Sequence, residues 1–579
     1  MRQIKVALSA ALLAFTLSAT ADNLPNELEK VAKELHIPLN SISVSVKPID
    51  APNKAPLVSF NAERSISPAS TEKLITTLAA LELLGPNYHW VSKFYADQEP
   101  TDDGHVKALY LQGSGDPTWV VEDFILALDR LSQLGVKHID GDLIVDRSLF
   151  NVPPEDPDAF DGRGDRPYNQ MPDALLINYN ALSFELLPIP GKAKARVVMV
   201  PKLAGVELPE SIELTRQACG DWKGNLRFTI EDLGNGQKRV VFKGTFPEAC
   251  GPKLYTVVSM DKNEYIERLF REIWERDGRT WSGHVREATL PSGLKEISYY
   301  SSKPLREVIA LANKWSNNQI ARHLFLMTAG THRGLPPDQN TEPKDLEESR
   351  VAVMTWLKSV GVNTNGFVLD NGSGLSRTSR VTADGMTQML LAGWRSPYMS
   401  EYLASLPISG VDGTMRKRKT ATHFAHVKTG FLSDVRAIGG YVQNKDGKRF
   451  VVYATVEGNG VGGGIPFLDQ VIAWVHDQPY ATDFGCIDVS LEGCLFQQKA
   501  RLGMTSRRAF LFSNALLGFG VFLQRVDNDR GRKQFRQNHH LTVWAINQVK
   551  RNARALKAFQ FFGDAFIVVG PIAFETDVA

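Results

Sequence analysis

The hydrophobic pattern changes period several times along the chain. Asn26 to Leu35 repeats at helical spacing, and Ser41 to Pro48 alternates as a strand, with Leu57 to Asn61 as its candidate partner. Ser65-Ile66-Ser67-Pro68-Ala69 is expected to be extended, because a following proline pushes a residue out of the α region. From Ser70 to Leu84 the apolar positions Leu74, Leu78, Leu81 and Leu84, with Ala79 and Ala80, predict a strongly apolar helix closed by Gly85-Pro86. Trp90 to Glu287 is strand-like and turn-rich, with strands at His105–Gly113, Gly141–Val145, Val197–Pro201, Arg227–Ile230 and Arg239–Phe242. A helix at Val121–Leu134 is embedded there, and Phe150 to Pro172 reads as a long loop. Helices follow at Lys262–Arg276, Leu305–Thr328 and Leu346–Val360. Strands Val435–Gln443 and Arg449–Val456 flank Asn444-Lys445-Asp446-Gly447, a hairpin signal, and Phe467–His476 closes the pattern as a helix. Helices at both ends of an antiparallel hairpin predict an α/β sandwich, interrupted by a large β-rich accessory region.

At 579 residues the chain is too long for one core. Its 43% hydrophobic and 22% charged residues exclude a mainly disordered, collagen-like or polytopic membrane protein. A net charge of +2 offers no basic excess for nucleic acid. The N-terminus has a short positive region, an apolar run from Val6 to Leu17 and Ala19-Thr20-Ala21, the parts of a secretory signal peptide cleaved after Ala21. Export to an oxidising compartment, the periplasm, lets cysteines close. Proximity pairs Cys219 with Cys250 and Cys486 with Cys494, although four cysteines allow three connectivities. Neither pair has the spacing of a metal site. From Gln497 the chain changes again: Phe510–Leu523 is apolar but short for a span, and Arg525–Arg536 and Lys550–Lys557 are basic. A peripheral membrane contact or an extension without a packed role are the two readings of 497–579.

Three short motifs could carry chemistry. Ser70-Thr71-Glu72-Lys73 opens the apolar helix, with serine and lysine one turn apart on one face. A backbone N–H at a helix N-terminus faces developing negative charge, and a lysine in a dry site can lose its proton and act as a base. The plainer alternative is an N-cap serine beside a solvated lysine, which the apolar surroundings do not suit. Ser316-Asn317-Asn318 interrupts the Leu305–Thr328 stretch and could turn a hydroxyl and an amide toward one cleft; alone, it also fits a polar surface turn. Lys428-Thr429-Gly430 precedes the Val435 strand. Its glycine would let a ligand backbone lie against the strand, and its lysine and threonine could hold a carboxylate. An exposed edge lysine in a turn is the alternative.

Together, S-x-x-K, S-x-N and K-T-G form the serine set of penicillin-binding proteins and β-lactamases. Over nearly all of residues 25 to 495 the chain resembles one group of these, the exported D-alanyl-D-alanine carboxypeptidases/endopeptidases of low-molecular-mass class C (peptidase family S13). The likeness rests on Pro68–Leu74, Gly113-Ser114-Gly115-Asp116-Pro117, Gly141–Asp146, Pro304–Val308, Asn313–Asn318, Asp370-Asn371-Gly372-Ser373-Gly374-Leu375-Ser376-Arg377, Gly410–Met415 and His426–Gly430. It implies a transpeptidase-like sandwich with an inserted accessory region, peptidoglycan stem peptides as substrates, β-lactams as acylating inhibitors, and no cofactor or metal. It further implies a signal peptide at 1–21, a catalytic domain in two parts at 22–93 and 289–496, an insert at 94–288 and an extension at 497–579.

Carried over residue by residue, the resemblance makes Ser70 the nucleophile and Lys73 its base. The N–H groups of Ser70 and Phe431 form the oxyanion hole, and Ser316 relays a proton to the leaving amine. Asn318 binds the substrate backbone and orients Lys73, while Lys428, Thr429 and Gly430 line the carboxylate site. Three positions depart from the family pattern: Asn317 stands where Asp is usual, Phe431 where a small residue is usual, and Gln170 where some members carry an acid that holds the amino group of the stem-peptide side chain. Two alternatives remain open, a serine β-lactamase or esterase of the same fold and a catalytically silent peptidoglycan-binding protein. Gly458-Asn459-Gly460-Val461-Gly462-Gly463 matches a dinucleotide fingerprint, but its strand belongs to a hairpin, so a turn is the better reading.

Overall fold

The computed structural model describes residues 23–51, 55–334, 340 and 342–479. The signal segment, Cys486, Cys494 and the 497–579 extension lie outside the described residues. Among the described residues no helix is long and apolar enough to cross a membrane.

A five-stranded antiparallel sheet organises the catalytic half. Its strands are β1 (Ile42–Pro48), β2 (Val58–Phe60), β3 (Ala425–Leu432), β4 (Val435–Gln443) and β5 (Arg449–Glu457), in the order β3-β4-β5-β1-β2. The hairpin signal at 444–447 is realised, with Val435 opposite Glu457 and Gln443 opposite Arg449. The first strand closes on the last, Ile42 facing Val456, so the two ends of the described chain meet in one sheet.

The central strands are buried on both faces, and alternate side chains enter different cores, as a period of two requires. Val44, Val452, Ala454 and Val456 join Leu28 of helix α1 (Asn26–Glu34) with Phe467 and Val471 of the C-terminal helix Gly464–Asp477. Tyr441, Val451 and Tyr453 face the other way. They pack with Leu74 and Leu78 of α2 (Lys73–Leu84), Val308 of α3 (Leu305–Lys314), Ile320 of α4 (Asn318–Met327) and Met389 of α5 (Ala383–Arg395). The result is the helix–sheet–helix sandwich that the pattern predicts. The α5 helix and the strand status of 425–432 escaped the hydrophobic pattern. The stretch predicted as one helix at 305–328 is two, broken at Trp315–Asn317.

The inserted region has its own core, centred on Phe94, Phe184, Phe270 and Trp274. Strands Val91–Ala96 and Lys295–Ser301, where the chain leaves and re-enters the catalytic layers, pair with each other. We therefore propose that the insert begins and ends on this pair rather than at 94 and 288. Cys219 and Cys250 are joined by a disulfide inside it. Closing that loop of 31 residues stabilises the folded state by about 3.7 kcal/mol at most in the chain-entropy picture. Reduction is expected to lower the melting temperature while leaving the catalytic layers folded at low temperature, because the disulfide belongs to the insert's core and not to those layers. Equal melting curves with and without dithiothreitol would contradict this.

The glycine-rich turn before the last helix packs against the end of α1: a Cβ at Gly460 would lie 2.8 Å from the Ile37 Cα. Close packing accounts for glycine at 460 and at 463, where a Cβ would lie 2.9 Å from the Leu35 carbonyl oxygen, while Gly458 and Gly462 have open space around them.

Candidate active site

Ser70 does not cap a helix. It lies in a 3-10 turn, Ala69–Glu72, that leads directly into α2. The preceding Ala69 has φ +45, a left-handed conformation unusual for alanine. Two glycines make room for this turn. A Cβ at Gly430 on β3 would stand 2.8 Å from the Pro68 carbonyl oxygen and 3.1 Å from the Ala69 Cβ, and one at Gly374 would overlap the Ala69 carbonyl. Gly430 thus serves the contact between β3 and the serine turn, a role the residue pattern did not assign to it.

Lys73, the first residue of α2, is fully buried. Its Nζ lies 3.2 Å from Ser70 Oγ, 2.7 Å from Asn318 Oδ1 and 2.5 Å from the Ser373 carbonyl. Burial, with the cations of Lys428 and Arg322 nearby, holds this amine well below the usual lysine range, against the opposing charge of Glu72. The geometry suits the neutral amine. Nζ has three oxygen partners, and a neutral amine that donates to Asn318 Oδ1 and the Ser373 carbonyl keeps its lone pair for the third, the Ser70 hydroxyl. Glu72 is buried alongside and accepts from the Gly372 N–H at 3.2 Å; burial pushes its carboxyl up to about 7.

The break between α3 and α4 carries Ser316 and Asn318. Asn317 caps α4 by accepting from the Ile320 N–H at 3.0 Å, a role that the aspartate expected there would fill equally well. Ser316 has φ +57, a second strained residue at a reactive position. Its Oγ accepts from Lys428 Nζ at 2.8 Å. Lys428 is fully buried rather than an exposed edge residue, and burial lowers it to about 7. Thr429 Oγ1 donates to Thr414 Oγ1 at 2.9 Å. Phe431 lies next along β3, its ring exposed and covered by the Arg436 guanidinium at 3.6 Å.

The described structure therefore gathers Ser70, Lys73 and Asn318 into one hydrogen-bonded cluster and Ser316, Lys428 and Thr429 into another, joined through the short turn 316–318. Gln170 is not turned to a ligand: its Nε2 donates to the Gly164 carbonyl at 2.6 Å. The sequence reading missed the Ser373 carbonyl, Glu72 and Thr414. Ser373 and Thr414 lie in stretches that carried the family likeness, but nothing in their local pattern marks a role. Other residues that carried the likeness are structural. The Gly115 carbonyl accepts at 2.9 Å from Nδ1 of His323, a residue outside those stretches that burial pushes down to about 4 and whose Nε2 accepts the Asp173 N–H, tying the insert to α4.

Comparison with known proteins agrees with this arrangement. A D-alanyl-D-alanine carboxypeptidase of Actinomadura sp. is 28% identical over 451 residues, which cover 75% of this chain and 80% of that protein. The crystal structure of penicillin binding protein 4 from Haemophilus influenzae superposes with a TM-score of 0.61 at 20% identity, covering 78% of this chain and 99% of that one. The same protein complexed with a β-lactam gives a TM-score of 0.59, with the same identity and coverage. Those likenesses give the fold. The family described as D-Ala-D-Ala carboxypeptidase 3 (S13) is matched over residues 24–464, a span that holds the Ser70 turn, the 316–318 break and the β3 lysine. By that match, the chain belongs to the D-Ala-D-Ala carboxypeptidase 3 (S13) family.

Proposed function

We propose that the protein is a serine DD-peptidase that cleaves the D-Ala-D-Ala end, or the cross-link, of peptidoglycan stem peptides and is acylated by β-lactams. The observation that carries this is the Lys73 amine, fully buried, 3.2 Å from Ser70 Oγ and held by two further acceptors, Asn318 Oδ1 and the Ser373 carbonyl. Ser70 Oγ attacks the carbonyl of the penultimate D-alanine while its proton passes to Lys73. The N–H groups of Ser70 and Phe431 hold the oxyanion; losing one such donor typically costs about 10²–10³ in rate. As the C–N bond breaks, Ser316 delivers a proton to the leaving amine. Lys428 and Thr429 hold the terminal carboxylate, and Asn318 binds the substrate backbone. Water then hydrolyses the ester. Work outside the cytoplasm, in the periplasm, follows from the same substrate and from the N-terminal signal.

Incubation with a fluorescent penicillin, followed by a D-Ala-D-Ala pentapeptide, tests the proposal. A DD-peptidase is trapped by the drug and releases D-alanine from the peptide. Rapid drug turnover would instead indicate a β-lactamase, and neither reaction a binding protein.

The pH dependence tests Lys428. Its hold on a carboxylate needs the ammonium form, and burial places loss of that proton at about 7. For a peptide ending in a free carboxylate, kcat/KM is expected to rise as Lys73 deprotonates and to fall as pH climbs through about 7. A peptide ending in a carboxamide should lack the falling limb. Identical profiles for the two would remove Lys428 from this role.

A further inference from the structure

Arg322 lies on α4, four residues and one helical turn after Asn318. Its side chain is 7% exposed, yet among the described residues it forms no ion pair within 4 Å with a carboxylate. A buried cation without a close counter-ion is costly, by several kcal/mol for an uncompensated ion. Its hydrogen bonds go to a single segment of the insert. Nη1 donates to the Gln170 carbonyl at 2.9 Å and lies 3.8 Å from the Met171 sulfur. One turn earlier on the same helix, Asn318 Nδ2 donates to the Tyr168 carbonyl at 3.2 Å. Two donors on one face of α4 thus hold two carbonyls of the segment 168–171.

The Tyr168 contact bears on the base. An amide side chain has one oxygen and one NH2 group, and the Tyr168 carbonyl takes the NH2 end. That leaves Asn318 Oδ1 toward Lys73 Nζ at 2.7 Å. If Tyr168 withdrew, the amide could turn over and present a donor to an amine that already donates to Ser373. The charge of Arg322 acts in the same sense. It faces Lys73 together with Lys428 and Glu72, and its own field is offset by the more distant Glu155 and Asp370.

We propose that Arg322 is a positioning residue for the acylation step: by clamping the Gln170 carbonyl it keeps the Tyr168 carbonyl on Asn318, which fixes the amide that orients Lys73. The insert thereby supplies part of the catalytic geometry without touching substrate. This rests on Lys73 being the base.

The test is the rate of acylation by a β-lactam, measured against pH, for Arg322→Met, Arg322→Gln, Asn318→Ala and the double variant Arg322→Met/Asn318→Ala in the full chain. Arg322→Met is expected to acylate about 10- to 100-fold more slowly, with its rising limb moved to higher pH. Its melting temperature should be unchanged or higher, because an apolar side chain replaces a buried cation. Arg322→Gln, which keeps a donor, should recover part of the rate. Compared at a pH above both rising limbs, where the charge of Arg322 no longer counts, Arg322→Met on the Asn318→Ala background should slow acylation by no more than about twofold, since the two act through one contact. Acylation of Arg322→Met within twofold of the parent at every pH would overturn the proposal. So would effects that simply multiply in the double variant, or a loss of melting temperature with a normal rate. The underlying reading fails differently: Lys73→Ala would then acylate as fast as the parent.

Discussion

Replacing Ser70 by alanine is expected to abolish both covalent uptake of a labelled penicillin and release of D-alanine from a pentapeptide. Serine acyl-transfer sites that lose their nucleophile fall by on the order of 10⁴- to 10⁶-fold. The fold should be indifferent to the change. The Ser70 hydroxyl meets Lys73 at 3.2 Å, the longest of that amine's three contacts, and the Asn318 and Ser373 acceptors remain. Thr71, its neighbour, anchors the turn independently by donating to the Pro68 carbonyl at 2.6 Å and by its contact with the Tyr453 hydroxyl at 2.7 Å. A melting temperature close to the parent's, with no label after prolonged incubation, is the expected pair of results. Label that still attached covalently to the alanine variant would place the nucleophile elsewhere.

Gly374→Ala should have the second-largest effect, and it reaches the same serine from the opposite side. Gly374 has φ +72, so any side chain there is strained, and its Cβ would run into the Ala69 carbonyl oxygen and approach the Ser70 N–H. Neither neighbour can move freely. Ala69 is already in a left-handed conformation and is backed by Gly430 of β3, while the 372–374 loop is tied to α2. Those ties are the Thr76 hydroxyl on the Gly372 carbonyl at 2.6 Å and Lys73 on the Ser373 carbonyl. Strain of this kind, added to a backbone overlap, costs about 3 kcal/mol or more. The variant is expected to melt several degrees lower and to acylate at least about 100-fold more slowly, because the turn carrying the nucleophile must shift. Thermal melts and penicillin-binding rates check both; parent-like values would mean that the loop relaxes without moving Ser70.

Parts of this site were legible in the order of residues and parts were not. The Ser70–Lys73 spacing places both groups within one turn of chain, and the structure keeps them 3.2 Å apart even though the turn is 3-10 rather than α-helical. The polar break at 316–318 was visible because it interrupts an apolar helix. Burial was legible for Lys73, whose own helix is mostly apolar, but not for Lys428, whose surroundings come from other segments. The steric use of Gly430 and Gly374 was not legible, because it depends on a third segment, Pro68–Ala69, lying against both.

Residue order by itself determined the elements with a strong local period, the hairpin around 444–447 and the family to which the motifs point. A hydrophobic period and a turn signal are properties of neighbours along the chain, so they can be read there. Only the tertiary structure decided which amide and which carbonyl meet the Lys73 amine, and that a buried arginine shares a helix face with that amide. Those contacts join groups 245 and 300 positions apart, and the Lys428–Ser316 contact spans 112. Hydrogen bonds and burial depend on distance in space, which folding of the intervening segments sets and which no local pattern of residues encodes.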